Sequence, residues 1–309
     1  MNLENSTRTE TPAIGLRDLD ALWFQISGTR CNLTCSHCFI SCSPHNDQFG
    51  FLPLSTVQHW LQESRKWGVR EYYYTGGEPF LHPDMTTILK ETLEIGPATV
   101  LTNGTVLKES WLQDLQRASQ GTYSLEFRVS LDGFSPETND PIRGPRSFER
   151  TMTGIMKLVA FGFLPIITAA RVWDDEEESN VIDAFVEMLR QRGYQRPRLK
   201  LLPKLNLGAE VQRTHGYRDD ELVTAAMMKD ADPSTFLCSH SRIVTDRGIH
   251  VCPLLIDEPD SLMGQTLEEA AKPFALKHGA CWTCYQHGAI CSNAPSYKIQ
   301  PPASSQSQV

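Results

Sequence analysis

Cys31-Asn-Leu-Thr-Cys35-Ser-His-Cys38 decides the reading of this chain. Three thiols separated by three and then two residues can wrap one face of an iron–sulfur cube, which takes four ligands. One iron is then left open, and an open iron on a low-potential cluster is a place to bind and reduce a small molecule rather than a structural plug. The alternative is a zinc site or a set of buried thiols in a reducing compartment. Zinc knuckles bring paired Cys-x-x-Cys units or histidines at matching spacing. The nearest further donors here, His37 and Cys42, are poorly placed to complete a tetrahedron.

Tyr72-Tyr-Tyr-Thr-Gly76-Gly77-Glu78-Pro79 follows about forty residues later. It reads as a strand running into a glycine corner, where two missing Cβ atoms let a ligand come within hydrogen-bond reach of the backbone. Together the two segments resemble the hallmark motifs of the radical S-adenosylmethionine (radical SAM) enzymes. The resemblance implies a [4Fe–4S] cluster on Cys31, Cys35 and Cys38, and S-adenosylmethionine held at its methionine amino group by Gly76, Gly77, Glu78 and Pro79. It also implies the chemistry: the reduced cluster passes one electron to S-adenosylmethionine, the sulfonium breaks, and a 5′-deoxyadenosyl radical removes hydrogen from a substrate. A low-potential electron donor such as flavodoxin or ferredoxin is implied with it.

Composition sets the frame. The chain has 309 residues, 40% of them hydrophobic, enough for one large domain with a smaller appendage. A net charge of −8, with no dense basic run, argues against a nucleic-acid partner held through phosphates. No apolar stretch reaches the length of a membrane span, and Met1 to Arg17 is polar rather than a signal peptide, so a cytoplasmic protein without a membrane partner is expected. Nine cysteines, an odd number with Cys-x-x-Cys clustering, read there as metal ligands rather than disulfides.

From Leu22 to Leu202 short β-prone runs alternate with amphipathic helical runs, the pattern of parallel βα units. Strands are expected at Trp23–Ser27, Glu71–Tyr74, Ala98–Leu101, Leu125–Leu131, Pro165–Arg171 and Leu199–Leu202. Val57, Trp60 and Leu61 lie at helical spacing after Ser55, as do Ile88, Leu89 and Leu93 after Asp84, and Gly68 and Gly96 close these two helices. Ser147 is read as the cap of a third helix, and Ser179 precedes a fourth. Six strands with five intervening helices make an α/β open, curved parallel sheet, too few for a closed eightfold barrel. The family's partial (β/α)6 barrel has this form. Polar residues at the carboxyl ends of the strands, Cys31, Gly76, Asn103, Ser130, Asp132 and Arg171, then converge on one face.

The resemblance extends to further positions. Ser130 and Arg143 become candidates for the methionine carboxylate, Asn103 for the neighbourhood of the ribose, and Phe39 for packing at the adenine. An arginine suits a carboxylate because its planar fork donates two parallel hydrogen bonds. Asn-Gly and Asp-Gly are also ordinary turn formers, and Arg143 has the alternative of a surface position. His37 occupies a position that is often aromatic in the family; a solvated loop histidine is its alternative, and it is not read as a ligand. Asp174-Asp-Glu-Glu-Glu178 precedes a helix and is read as a solvated acidic first turn rather than a metal site.

Cys238 to Cys252 reads as a hairpin turning at Asp246-Arg247-Gly248, with a cysteine at each outer end, and Cys281-Trp-Thr-Cys284 adds two thiols after a helical stretch from Leu267 to Leu276. Four converging thiolates make a closed site, either a zinc ribbon or a fully ligated [4Fe–4S] cluster. This region is similar to the SPASM/twitch extension of many radical SAM enzymes, which holds auxiliary clusters. The fuller SPASM form uses seven motif cysteines; five cysteines here, with the hairpin glycine one residue closer to Cys252 than usual, fit the one-cluster twitch type. Cys42 and Cys291 are left over and read as buried thiols, with a replacement ligand or a hydrogen-atom donor as alternatives.

The expected organisation is a flexible segment over 1–19, a radical SAM core over 20–215, a cluster-binding extension over 216–295 and a disordered Ser/Gln/Pro-rich tail over 296–309. An auxiliary cluster within reach of a substrate radical offers an acceptor for a second electron, so the net reaction is expected to be an oxidation. About thirty residues precede Cys31, too few for the leader-binding domain of peptide-modifying relatives, which favours a small-molecule substrate over a peptide. An electron carrier or zinc-stabilised binding protein is the non-catalytic alternative.

Overall fold

A computed structural model describes residues 11–288, 290, 291 and 293. The expected disordered tail and residues 1–10 lie outside these. Residues 11–19, expected to be flexible, instead contain a short strand, β1 (Ala13–Ile14), and bury Ile14 and Leu19 in the core. Apolar side chains at these positions have a surface to cover, and the chain follows them.

All six expected strands form within two residues of their expected bounds. β2 (Ala21–Gln25), β3 (Glu71–Thr75), β4 (Ala98–Thr102), β5 (Leu125–Ser130), β6 (Ile166–Ala170) and β7 (Arg198–Leu202) pair in sequence order and all in parallel. The helices that return the chain between them are α1 (Leu54–Ser64), α2 (Met85–Thr92), α3 (Glu109–Ala118), α4 (Pro136–Arg143), α5 (Ser147–Ala160) and α6 (Glu178–Gln191). Side chains alternate along each strand. Leu22, Phe24, Tyr72 and Tyr74 therefore face the helices and join the large outer core, whereas Trp23 and Tyr73 face inward and stack at 4.2 Å. Ser147 does not cap α5 with its hydroxyl: Asp140 of α4 accepts the Arg146 and Phe148 amides at 2.7 and 2.8 Å and so does that work.

The parallel sheet has a seventh strand that sequence reading missed. After α7 (Val211–Thr214), β8 (Ser241–Thr245) pairs in parallel with β2, and β9 (Gly248–His250) and β10 (Leu262–Gly264) continue outward as antiparallel strands. The expected hairpin is real, with its turn at Asp246-Arg247, yet it belongs to the barrel sheet rather than to a separate layer. The sheet stays open, with β10 and β7 as its two edges. α8 (Leu267–Ala270), β11 (Phe274–Ala275) and α9 (Gly279–His287) complete the described chain, β11 pairing with β1. No helix among the described residues is long and apolar enough to cross a membrane.

Two contacts fix the hairpin. Its turn holds the segment after the cysteine loop: Asp246 accepts the Gly50 amide at 2.7 Å, and the Arg247 guanidinium lies 4.4 Å over the Phe49 ring. Arg242 is fully buried beneath β8 and donates to the carbonyls of Ala270, Cys238 and Ser241, each at 2.7 Å. Burial holds its pKa down to about 10. Replacing it strands these carbonyls in the interior. Arg242→Met should therefore cost on the order of 3 kcal/mol in a urea titration, and an unchanged midpoint would show that the carbonyls find other donors.

Candidate functional site

The loop between β2 and α1 carries Cys31, Cys35 and Cys38 across the carboxyl ends of the strands, where they line a cavity. The loop is held by its neighbours' backbones. Gly77 donates to the Gly28 carbonyl at 2.9 Å and Glu78 to the Arg30 carbonyl at 3.0 Å. A Cβ on Gly77 would sit 2.0 Å from the Arg30 oxygen and 2.7 Å from the Cys31 nitrogen, and one on Gly76 would sit 2.4 Å from the Ser27 hydroxyl. The glycine corner thus packs against the chain's own loop on its Cβ side, and both glycines also line the cavity. On the far side a Cβ on Gly208, at φ +57°, would sit 2.5 Å from the Cys38 and Phe39 carbonyl oxygens, and Ala209 donates to the Cys38 carbonyl at 2.9 Å.

Of the residues expected to hold S-adenosylmethionine, Phe39, Gly76, Gly77, Asn103, Ser130 and Arg143 line this cavity together with the three cysteines. Glu78 and Pro79 are buried behind it. The Glu78 carboxylate accepts from the Thr102 hydroxyl and the Asn103 amide, both at 2.7 Å, and from the Phe80 amide at 3.1 Å, while burial raises its pKa to about 7. It welds the glycine corner to the end of β4. Asn103 turns its side-chain amide toward the cysteine loop, 2.9 Å from the Asn32 carbonyl oxygen and 3.7 Å from the Cys31 sulfur.

Arg143 is not a surface residue. Its Nε stands 2.5 Å from Asp132 Oδ2, and Nη1 lies 4.0 Å from the Cys35 sulfur. The same carboxylate oxygen takes His37 Nε2 at 2.7 Å, so His37 is neither solvated nor packed as an aromatic face. Asp132 Oδ1 accepts the Ala170 amide at 2.7 Å. Asp132 is wholly buried, which raises its pKa, but the Arg143 charge, His37 and the Ala170 amide outweigh burial and hold it well below the usual carboxylate range. Sequence reading placed Asp132 at a strand end and gave it no role; the Asp-Gly pair, which also suits an ordinary turn, does not reveal its buried carboxylate. Arg171, expected on the same face, pairs instead with Glu178 at 2.6 Å, so the acidic run is not wholly solvated.

The thiols themselves differ. Burial pushes Cys31 up to about 12 and Cys35 up to about 11, whereas a hydrogen bond from the Cys42 thiol draws Cys38 down to about 6. Cys42 also donates its backbone amide to the Cys38 sulfur at 3.2 Å, which leaves it a buried thiol committed to its neighbour. A soft cofactor that takes thiolates suits this set, and its binding must displace protons from Cys31 and Cys35.

Cys238, Cys252, Cys281 and Cys284 are all buried and line a second, small cavity, whose walls include Phe236, Leu254, Leu255 and Phe274. Burial raises Cys238 and Cys281 to about 12 and Cys252 and Cys284 above the ordinary thiol value. All nine cysteines are free. Cys291 stands apart, at the bottom of the barrel, where its carbonyl accepts from Arg128 at 2.8 Å.

An open parallel α/β barrel with three thiols beside a deep cavity at its strand ends defines a barrel protein built to hold a thiolate-bound cofactor. The chain belongs to the radical SAM superfamily: residues 26–184 match that family. It is 36% identical over 127 residues to the AdoMet-dependent heme synthase of Methanosarcina barkeri, 40% of this chain and 35% of that protein. It is 28% identical over 195 residues to the probable GTP 3',8-cyclase of Methanosarcina acetivorans, 60% of this chain and 54% of that one. The chain thus spans about half or less of the length of these relatives. Among solved structures, Streptococcus suis SuiB bound to precursor peptide SuiA matches with a TM-score of 0.61 at 14% identity, covering 84% of this chain and 66% of that one, a likeness of fold.

Two predictions follow from the packing of the loop. Gly77→Ala must displace the Arg30–Cys31 backbone, so reconstituted protein should lose most of the iron held at the loop while its far-ultraviolet circular dichroism is retained; full iron would mean the loop tolerates the intrusion. Arg143→Met leaves Asp132 buried with only His37 and an amide, which should cost about 3–5 kcal/mol of stability. A denaturant midpoint unchanged by Arg143→Met would remove the ion pair from the account.

Proposed function

We propose that this chain is a radical SAM oxidoreductase with two [4Fe–4S] clusters, a site cluster on Cys31, Cys35 and Cys38 and a closed auxiliary cluster of the twitch type on Cys238, Cys252, Cys281 and Cys284. When bound, the site cluster supplies one electron for reductive cleavage of S-adenosylmethionine, whose 5′-deoxyadenosyl radical takes hydrogen from the substrate. The core spans residues 20–215 and the extension 216–295, joined through β8. The protein's own residues orient and exclude. Gly76 and Gly77 present backbone to the cavity, Phe39 and Ser130 line its wall, and Asp132 fixes His37 and Arg143 beside the cysteines.

The observation that carries this reading is the separation of the cysteines into two lined cavities. Each cavity is bounded by its own set of thiols, which supports an inorganic cofactor that takes several thiolates. A small-molecule substrate is supported by the shape of the main cavity, whose floor is closed by the contact of Arg128 with Cys291, so that substrate enters over the strand ends. The net reaction is an oxidation, the substrate radical giving its electron to the auxiliary cluster, and a flavodoxin or ferredoxin supplies the electron that starts each cycle.

Anaerobic metal analysis tests the assignment. Reconstituted protein should hold about eight irons and no stoichiometric zinc. Replacing Cys31, Cys35 and Cys38 with alanine should abolish 5′-deoxyadenosine formation under strong reductant, whereas Cys281→Ala/Cys284→Ala should lose about four irons and keep part of that activity. Circular dichroism must confirm folding, because a lost closed site can unfold the segment around it. Zinc at the second site, or undiminished S-adenosylmethionine cleavage without the three loop cysteines, would contradict the proposal.

A further inference from the structure

We propose that Arg128 and Thr168 form an anion-binding floor in the main cavity, so that the substrate carries a carboxylate or phosphate group at the end away from the cysteine loop. The proposal rests on the radical SAM reading of that cavity and adds the chemical class of its substrate.

Arg128 lies in the middle of β5 on the inward face, two residues before Ser130, and is 2% exposed. It lines the cavity. One guanidinium nitrogen, Nη1, donates to the Cys291 carbonyl, but the buried Nε has no hydrogen-bond partner. The titratable groups that bear on it are Cys291 and Tyr73, both neutral at ordinary pH, and the nearby Lys200, and no carboxylate among the described residues pairs with it. A buried guanidinium without an anion is costly, and such groups are ordinarily paired.

The surroundings reinforce the charge. Thr168 on β6 is buried, lines the same cavity and leaves its hydroxyl without a partner. Its neighbour in register on β7 is Lys200, also buried, whose amine is held down to about 8 by burial and by the nearby Arg128 charge. The cavity's carboxylates do not reach this corner: Asp132 is bound by His37 and Arg143, and Glu210 stands 3.6 Å from Arg213 on the segment that packs against the cysteine loop. In a chain of net charge −8, Arg128 is therefore a buried cation lining this end of the cavity. Carboxylate and phosphate oxygens both fit, since each accepts from a guanidinium edge and a hydroxyl together. The floor lies one β-strand layer below Ser130, at which the methionine carboxylate of S-adenosylmethionine is expected, so that carboxylate is the competing occupant.

Calorimetry on the full-length, cluster-reconstituted protein, saturated with S-adenosylmethionine, distinguishes the occupants, with inorganic phosphate and acetate as separate probes. One of the two should bind, and the tighter identifies the anion class. Arg128→Gln should weaken that binding by at least about tenfold, the scale of a charge-assisted hydrogen bond, with the dissociation constant of S-adenosylmethionine within about twofold of wild type. Arg128→Lys should recover part of the loss. Because Arg128 also holds Cys291, Thr168→Val provides the second arm: it leaves that contact in place and should weaken the anion about threefold. Absence of binding by either probe, equal affinity in both variants, or a parallel fall in S-adenosylmethionine affinity would overturn the proposal, the last by assigning the floor to S-adenosylmethionine itself. Anion binding by protein that fails to bind S-adenosylmethionine would keep the floor and remove the radical SAM reading instead.

Discussion

The buried carboxylate of Asp132 is the constraint around which the cavity is organised. It stands at the end of β5, accepts the Ala170 amide from the end of β6, and meets Arg143 of α4 and His37 of the cysteine loop on its other oxygen. Four separate pieces of chain are thereby fixed relative to one another at the place where the thiols gather. A buried carboxylate is tolerable only when fully compensated, and here compensation and positioning are one arrangement. Arg143 carries the consequence further, since its remaining nitrogen faces the Cys35 sulfur and offsets charge there when that thiol ionises.

The second organising feature is the way the carboxy-terminal hairpin joins the barrel. β8 lies in parallel beside β2, the strand that launches the cysteine loop, so Cys238 and Cys252, which flank the β8–β9 hairpin, are carried by the same sheet as that loop, while Cys281 and Cys284 come from α9. The hairpin turn also grips the exit of the loop through Asp246 and Arg247. A second cofactor in the apolar cavity among Cys238, Cys252, Cys281 and Cys284 would thus be anchored to the same rigid sheet as the first. Rigid connection suits electron transfer between a substrate in the barrel and an acceptor behind it.

Much of this was legible in the sequence because it is local. Alternation and helical spacing located six strands and four of the six helices between them, leaving α3 and α4 unplaced, and the spacing of Cys31, Cys35 and Cys38 marked the candidate site, because these patterns are fixed by neighbours in the chain. What was hidden is non-local. The pairing of β8 with β2 joins residues more than two hundred apart, and no periodicity within Ser241–Thr245 records its partner. The role of Asp132 was concealed by its setting in a turn-like Asp-Gly pair, and the function of Gly77 is clear only once the Arg30 carbonyl is placed 2.0 Å from its missing Cβ. Arg128 carried a usable signal: a charge at an inward position of a strand otherwise bordered by Phe127 and Val129 marks a lumen-facing group.

Electron paramagnetic resonance of the anaerobically reconstituted, reduced protein, with and without S-adenosylmethionine, tests the central claim most directly. The account predicts two cluster signals, one of which changes on addition of S-adenosylmethionine because its cluster has an open iron, while the other, from a closed cluster, does not. A single signal, or two that are both indifferent to S-adenosylmethionine, would contradict it.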